Sequence, residues 1–350
     1  MKSWISISLI ILLGLASALL IGFGPDYFSI GQSDIDGEQE GLSEQIIIKF
    51  SHVVAEYTPK GLEVDRFAKL VKEKTNGKVE VQVFPNSILH SEQTEIPALI
   101  SGEIQMIAPA YSHLSGTIPQ WSVLELPYVF LNYQEVETAF QGKIGEILFS
   151  TLEKSGMKGL AFWSSGFKQV TANQPLIMPA DFQGQRIRII PSKVLDTHYR
   201  TLGAIPVGSS FGDLYSLLAT GKVDGEENTI SNLYTKRLYE VQKHLTVSNH
   251  NFLGYAVIVN EPFWKELPDD LKQAIEEALQ EATAFNNQLS VEMNAQQLDE
   301  VLTKQLMQTH IQTEEERAAW RKALQPVYDS FAPQIGPELM QEIEKLHLAR

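Results

Sequence analysis

The chain has 350 residues, 43% of them hydrophobic, enough apolar material for a sizeable core in one or two domains. Its 28 basic and 43 acidic residues give a formal net charge of -15, which excludes the basic footprint of a phosphate-backbone binder and makes nucleic acid a poor partner. With no cysteine, disulfides, thiolate catalysis, Cys-ligated zinc and a lipidated cysteine anchor are excluded together, and any anion site must be local and preorganised.

Met1-Lys2-Ser3 precedes an apolar run from Trp4 to Phe23, the one stretch long and apolar enough to span a bilayer. Lys2 with Ala16-Ser17-Ala18 fits a cleaved signal peptide. The run continues through Leu19-Leu20-Ile21, where a polar region should begin, and its length favours a retained membrane anchor. Residues 1–23 are thus a signal peptide or an N-terminal anchor, and either reading places the rest outside the cytoplasm. Residues 24–45 are acidic, without apolar periodicity, and read as a flexible linker.

From Ile46 the pattern changes. Ile46–Phe50 fits a buried strand, and Pro59–Lys74 a helix with Leu62, Phe67, Leu70 and Val71 on its apolar side. Val79–Phe84 alternates as a strand, Glu92–Ile100 reads as a helix ended by Gly102, and Ile104–Ala108 as a third strand. Leu160–Trp163, Arg186–Ile190 and Ala256–Asn260 are further strands. Strands alternating with helices predict an α/β fold with parallel units. Asp269 to His310 contains neither Gly nor Pro and repeats Leu271, Ile275, Ala278, Ala282, Phe285, Leu289 and Met293 at helical spacing. Such a helix runs on the order of 60 Å, longer than a small domain is wide. Lacking a strict heptad, it is expected to bridge two lobes, with a break near Asn294 as the alternative.

Several segments bear on chemistry. Gly208-Ser209-Ser210-Phe211-Gly212 matches the G-x-S-x-G elbow of serine hydrolases, with Asp224 and His244 or His250 following in a permitted order. Three fixed positions in five arise often by chance, so Ser210 as a nucleophile is the weaker reading. The eight histidines are scattered at no metal-ligand spacing, and no Walker A or dinucleotide fingerprint is present. No catalytic residue, cofactor or metal is therefore expected. Lys168 follows an apolar strand and a glycine turn at Gly166. Arg186 and Arg188 share one face of an apolar strand by period-two alternation. An Arg there is costly unless it meets an anion, and its planar fork suits a carboxylate. A structural ion pair with one of the chain's own acids explains it equally well. Asn228 ends a short strand bracketed by Gly221 and Gly225, at the end of a strand where α/β sheets place ligand contacts.

Taken in order, F-S-H-V-V-A-E-x-T-P-K-G at 50–61, V-F-P-N-S at 83–87, W-x-x-G-F-K-Q-V-T-A-N at 163–173, R-I-x-P-S-x-V-L at 188–195, L-G-A-x-P at 202–206, F-x-D-x-Y at 211–215, T-G-x-V-D-G-E-E-N at 220–228 and E-V-Q-K-x-L-T at 240–246 resemble the solute-binding subunit of tripartite ATP-independent periplasmic (TRAP) transporters, the DctP family. The resemblance covers about residues 46 to 306. It implies a two-lobed periplasmic-binding-protein-like clamshell with a long helix across both lobes: 46–164 plus about 253–291 in lobe I, and 165–252 plus about 292–350 in lobe II. It implies a substrate carboxylate held by Arg188, with Asn228 and Phe211 lining the same cleft. Lys168 stands where many members carry Arg, and its G-x-K-Q context looks like the C4-dicarboxylate-binding branch. Lys168 and Arg188 would then offer one cation per carboxylate of succinate, fumarate or malate. Asp213 for the usual Glu, and Glu226 for the usual Gln, are departures. The implied partners are a small dicarboxylate, the TRAP membrane permease and the membrane at the N-terminus. A dicarboxylate sensor kinase is the alternative partner. The Gly208–Gly212 stretch is absorbed into the family pattern, leaving Ser210 without a nucleophilic role.

Overall fold

The computed structural model describes residues 45–348, so the expected N-terminal segment 1–23, and all of the acidic linker except Gln45, lie outside the described residues. The fold is α/β. Strand β1 (Ile46–Ser51), helix α1 (Pro59–Lys74), β2 (Val79–Phe84), α2 (Glu95–Ser101) and β3 (Met106–Ile107) come first. Thr58 caps α1 by accepting from Gly61 N, and Pro59 sits where a missing N–H costs nothing. Lys60, Glu63, Val64, Phe67 and Val71 face inward, whereas Leu62 is 39% exposed, so the inward stripe has a different phase from the one the hydrophobic residues suggest. The second helix begins at Glu95 rather than Glu92, because Ser91 and Thr94 close a turn on each other first.

Short helices α3 (Tyr111–Ser115), α4 (Tyr133–Gln141) and α5 (Lys143–Glu153) lead into a long strand, β4 (Met157–Ala172). Then follow β5 (Arg186–Ile189), α6 (Lys193–Thr201), β6 (Ile205–Gly208), α7 (Leu214–Ala219), β7 (Gly225–Thr229), α8 (Ile230–Thr235) and a second long strand, β8 (His244–Asn260). The chain closes with α9 (Glu261–Glu266), α10 (Asp269–Thr303), β9 (Gln308–Ile311), α11 (Glu314–Ile335) and α12 (Pro337–Leu348).

One nine-stranded sheet runs β2-β1-β3-β8-β4-β7-β5-β6, with β9 added to β8. Strands β4 and β8 are antiparallel and cross the whole sheet, joining a lobe built on β1–β3 to a lobe built on β5–β7 and β9. Their pairing slips between Ser164 and Gly166 and again between Lys168 and Val170. Gly166 is therefore no turn after a strand but a bulge within one. Its φ of +124° suits glycine, and a Cβ there would meet the Asn294 amide at 2.8 Å.

Helix α10 has the 35 residues from Asp269 to Thr303, about 52 Å at 1.5 Å per residue, and it packs against α1 of one lobe and α8 of the other. Its inward polar side chains are used. Asn286 accepts from Ser164 N at 2.7 Å. Asn294 donates to Ser165 O at 2.8 Å and accepts from Ser231 N at 3.0 Å, and the helix runs unbroken through it. It stops before His310 because Gln305 turns left-handed at φ 51°. Leu306 and Met307 then enter the core beside Leu245 and Val247, and β9 pairs with β8. The architecture is a two-lobed clamshell with a helix spanning both lobes. Among the described residues no helix is long and apolar enough to cross a membrane.

Candidate functional site

The site starts at the ends of β5 and β7. Pro191 ends β5, and Ser192 turns the chain into α6 by accepting from Val194 N and Leu195 N. Gly225 lets β7 approach β4, since a Cβ there would stand 2.5 Å from Thr171 O. Thr229 then caps α8. Arg188 pairs in register with Glu226 on β7 and Val207 on β6.

Arg188 is wholly buried. Its Nε donates to Ser209 Oγ at 3.2 Å and one Nη to Ser209 O at 2.6 Å, while Nη1 has no hydrogen-bond partner. Among the described residues it forms no salt bridge. Burial pulls its guanidinium below the usual range against the attraction of Glu226, Glu92, Glu227 and Asp213. Arg186, two residues earlier, is the reverse. It clamps Asp224 with Nε to Oδ2 at 2.9 Å and a second Nη contact to Oδ1 at 2.6 Å, and lies half in water. Of the two arginines, one is a structural ion pair and the other a buried cation with a free donor.

Lys168 is held differently. Its Nζ stands 2.7 Å from Glu227 Oε1, and both side chains are buried. Oε2 of Glu227 accepts from the Tyr199 hydroxyl at 3.1 Å and from His250 Nε2 at 3.0 Å, and Ser248 Oγ completes the chain at His250 Nδ1, 2.7 Å away. Burial alone would raise Glu227, but Lys168 and His250 hold it well below the usual carboxylate range. Alternation along β7 puts Glu226 and Asn228 on the Arg188 face and Glu227 on the opposite one. Lys168 is thus matched by an acid of its own, on the other side of the sheet. The expected pair of cations, one per carboxylate, meets this correction: Arg188 and Lys168 do not face one cavity.

Asn228 lies on the Arg188 side of β7, and Phe211 follows β6, the strand that pairs with Arg188 through Val207. Asn228 Nδ2 donates to Glu226 Oε2 at 3.2 Å, and its Oδ1 accepts from Asn232 at 2.8 Å. Glu226 also accepts from Thr171, and burial, opposed by Arg188, pushes its carboxyl up to about 7. Phe211 N meets both oxygens of Glu92 at 3.3 and 3.4 Å, a contact between residues 119 apart that ties the two lobes. Lys236 Nζ lies 4.4 Å from the centre of the Phe211 ring. A cavity of about 370 Å³ opens here, lined from one lobe by Val53, Ser87 and Glu92 and from the other by Ser210, Asp213 and Lys236. Ser210 exchanges hydrogen bonds with Asp213, its hydroxyl 2.6 Å from Oδ2, and no imidazole stands among its partners.

Composition and spacing did not single out Glu92, Lys236, His52 or Lys60. His52 and Lys60 belong to the first family motif, and Lys60 sits one helical turn before Val64 on the inward stripe of α1. A charge at an apolar position was the available signal.

The sequence matches the family described as bacterial extracellular solute-binding protein, family 7 (DctP), over residues 50–334. The chain belongs to this family. The C4-dicarboxylate-binding protein DctB of Bacillus subtilis is 44% identical over 347 residues, covering 99% of each chain. The C4-dicarboxylate-binding periplasmic protein DctP of Rhodobacter capsulatus is 45% identical over 304 residues, 87% of this chain and 91% of that one. A TRAP periplasmic solute-binding protein from Shewanella oneidensis, with bound succinate, has TM-score 0.84 at 37% identity, covering 86% of this chain and 99% of that one. Another from Pseudomonas aeruginosa, with bound L-malate, has TM-score 0.79 at 33% identity, covering 81% and 99%. As a DctP-family member the chain is an extracytoplasmic solute-binding protein.

Proposed function

We propose that this DctP-family protein captures a C4-dicarboxylate (succinate, fumarate or malate) between its lobes and delivers it to a TRAP-type membrane permease. The observation that carries the reading is Arg188, a fully buried guanidinium with one nitrogen that lacks a hydrogen-bond partner. A buried guanidinium that makes no direct ion pair keeps an unmet donor, and a carboxylate that accepts a charge-assisted bond from it supplies the missing contact. Phe211 and Asn228 bound the ligand on the same face. Glu92, by contacting Phe211 across the cleft, favours the closed form that a permease would recognise. The names and bound ligands of the relatives support the same substrate class.

In this proposal lobe I comprises residues 46–164 and about 253–291, and lobe II 165–252 and about 292–350. The apolar segment 4–23 tethers the binding domain to the membrane through the acidic linker, and recovery of the intact N-terminus in a carbonate-washed membrane fraction tests that part. Binding is tested by isothermal titration of the purified protein with succinate, fumarate and malate. Saturable micromolar or tighter binding of at least one is expected. Flat traces for all three with folded protein overturn the substrate assignment.

A further inference from the structure

Arg188 accounts for one carboxylate, and a C4-dicarboxylate carries two. With Lys168 neutralised on the opposite face of the sheet, the second charge needs another partner. Lys60 meets the requirement from the other lobe. It lies at the start of α1, 2% exposed, its Nζ donating to Ala108 O at 3.0 Å and standing 3.8 Å from the centre of the Tyr255 ring. Among the described residues Lys60 forms no salt bridge. An ammonium carries three donors, and one carbonyl and one ring face leave it short of a charged partner. The nearest acids, Glu95 and then Glu92, attract it but neither forms a direct ion pair with the ammonium. Both oxygens of Glu95 are buried without a hydrogen bond, and burial drives that carboxyl upward, toward its neutral form. Glu92 turns its oxygens toward Phe211 N, 3.3 and 3.4 Å away. His52, whose two ring nitrogens are buried without partners, is pushed down to about 3 by burial and by Lys60 itself.

The location fits. Glu92 lines the cavity and meets Phe211 N, and it attracts both Lys60 and Arg188. Tyr255, beneath the Lys60 ammonium, has its hydroxyl near the side chains of Ser165 and Asn232, and Asn232 donates to Asn228. Lys60 therefore stands across one aromatic ring from the polar group beside Arg188. Lys236 is a poorer candidate, because it is only partly buried, belongs to the same lobe as Arg188 and already rests on the Phe211 ring.

Building on the dicarboxylate reading, we infer that Lys60 is the anchor of the second carboxylate: the ligand spans the cleft with one carboxylate on Arg188 of lobe II and the other on Lys60 of lobe I. Selectivity for diacids and closure of the lobes then share one device. A monoacid leaves one buried cation unmatched in the closed form, and only a ligand with two charges at the right spacing matches both.

The test is titration of the wild-type protein and of Lys60→Met with succinate and with monomethyl succinate, alongside the thermal midpoint of each without ligand. The wild type is expected to prefer succinate over the ester by about 100-fold. Lys60→Met is expected to lose about 100-fold for succinate and to leave ester affinity unchanged, and its thermal midpoint shows whether the fold survives loss of the attraction to Glu95. Equal losses for both ligands, or unchanged succinate affinity, overturn the inference while leaving the dicarboxylate function standing. Flat traces for the wild type itself overturn both. Should Lys60→Met melt early, Lys60→Gln, which can still donate to Ala108 O, provides the same comparison of two ligands.

Discussion

The two faces of the β4–β7–β5 sheet hold buried cations in opposite ways. On one face Lys168 meets Glu227, and Tyr199, His250 and Ser248 complete the network around that carboxylate. On the other, Arg188 has a backbone carbonyl, a hydroxyl and a nitrogen with no partner. Equal burial hides unequal purpose. On the proposed function, the charge met by its own chain belongs to the folded state, and the one that lacks a direct pair would be met by the ligand.

The sharpest way to break this contrast is Arg188→Gln. Succinate affinity should fall on the order of 1,000-fold by titration, while the urea midpoint of the ligand-free protein stays level or rises. A fall in ligand-free stability with affinity intact would make Arg188 structural and erase the difference between the faces. Lys168→Met should do the opposite. Removing one member of a buried pair costs about 3–5 kcal/mol of unfolding free energy, measurable by urea denaturation, and diacid and monoacid affinities should shift together. A selective loss of diacid binding would restore Lys168 to the ligand.

Adjacent glutamates sharpen the comparison through pH. Glu226, beside Arg188, Glu227, Thr171 and Asn228, is raised by burial from 4.5 to about 7, so its contribution to stability is complete below about 4.5 and is lost as pH rises through about 7. Glu227 is depressed below 4.5, so its contribution is present above about 4.5 and lost as pH falls. Glu226→Gln should flatten the decline in ligand-free stability between pH 5 and 8 by on the order of 2–3 kcal/mol, read from urea midpoints at each pH. An unchanged profile would assign the decline to other groups. The smallest effect belongs to Arg186→Gln, which breaks a half-exposed pair with Asp224: about 1 kcal/mol or less in stability and no change in succinate affinity. A large affinity loss there would show that both arginines serve the ligand.

The sequence carried much of the frame. Thr58 and Pro59 start α1 where capping chemistry puts them, and α10 begins at Asp269 as its spacing suggests, although Pro268 holds the cap position and no side chain caps it. The end of α10 was hidden because nothing between Asp269 and His310 breaks a helix locally. Only pairing of β9 with β8, contributed by distant residues, ends it. Strand β4 was half legible, since Gly166 reads as a turn unless the Asn294 amide that crowds it is known. In the site, Arg188 stood out because an arginine inside Ile187–Ile189 demands an explanation. Lys168 looked like its equal, because the acid that satisfies it lies 59 residues away in sequence. Lys60 was obscured by Leu62 and Leu70, which suggest a different inward face for α1 than the one that Val64, Phe67 and Val71 build.

The slips of register where β4 and β8 pass between the lobes concern time rather than grip. If an ion enclosed by the lobes leaves only when that joint bends, the backbone from Ser164 to Val170 would bear on residence time as any charge does. A stiffer joint slows entry and exit together and leaves their ratio alone. For a carrier that must surrender its cargo, those few irregular hydrogen bonds would then be the clock of delivery.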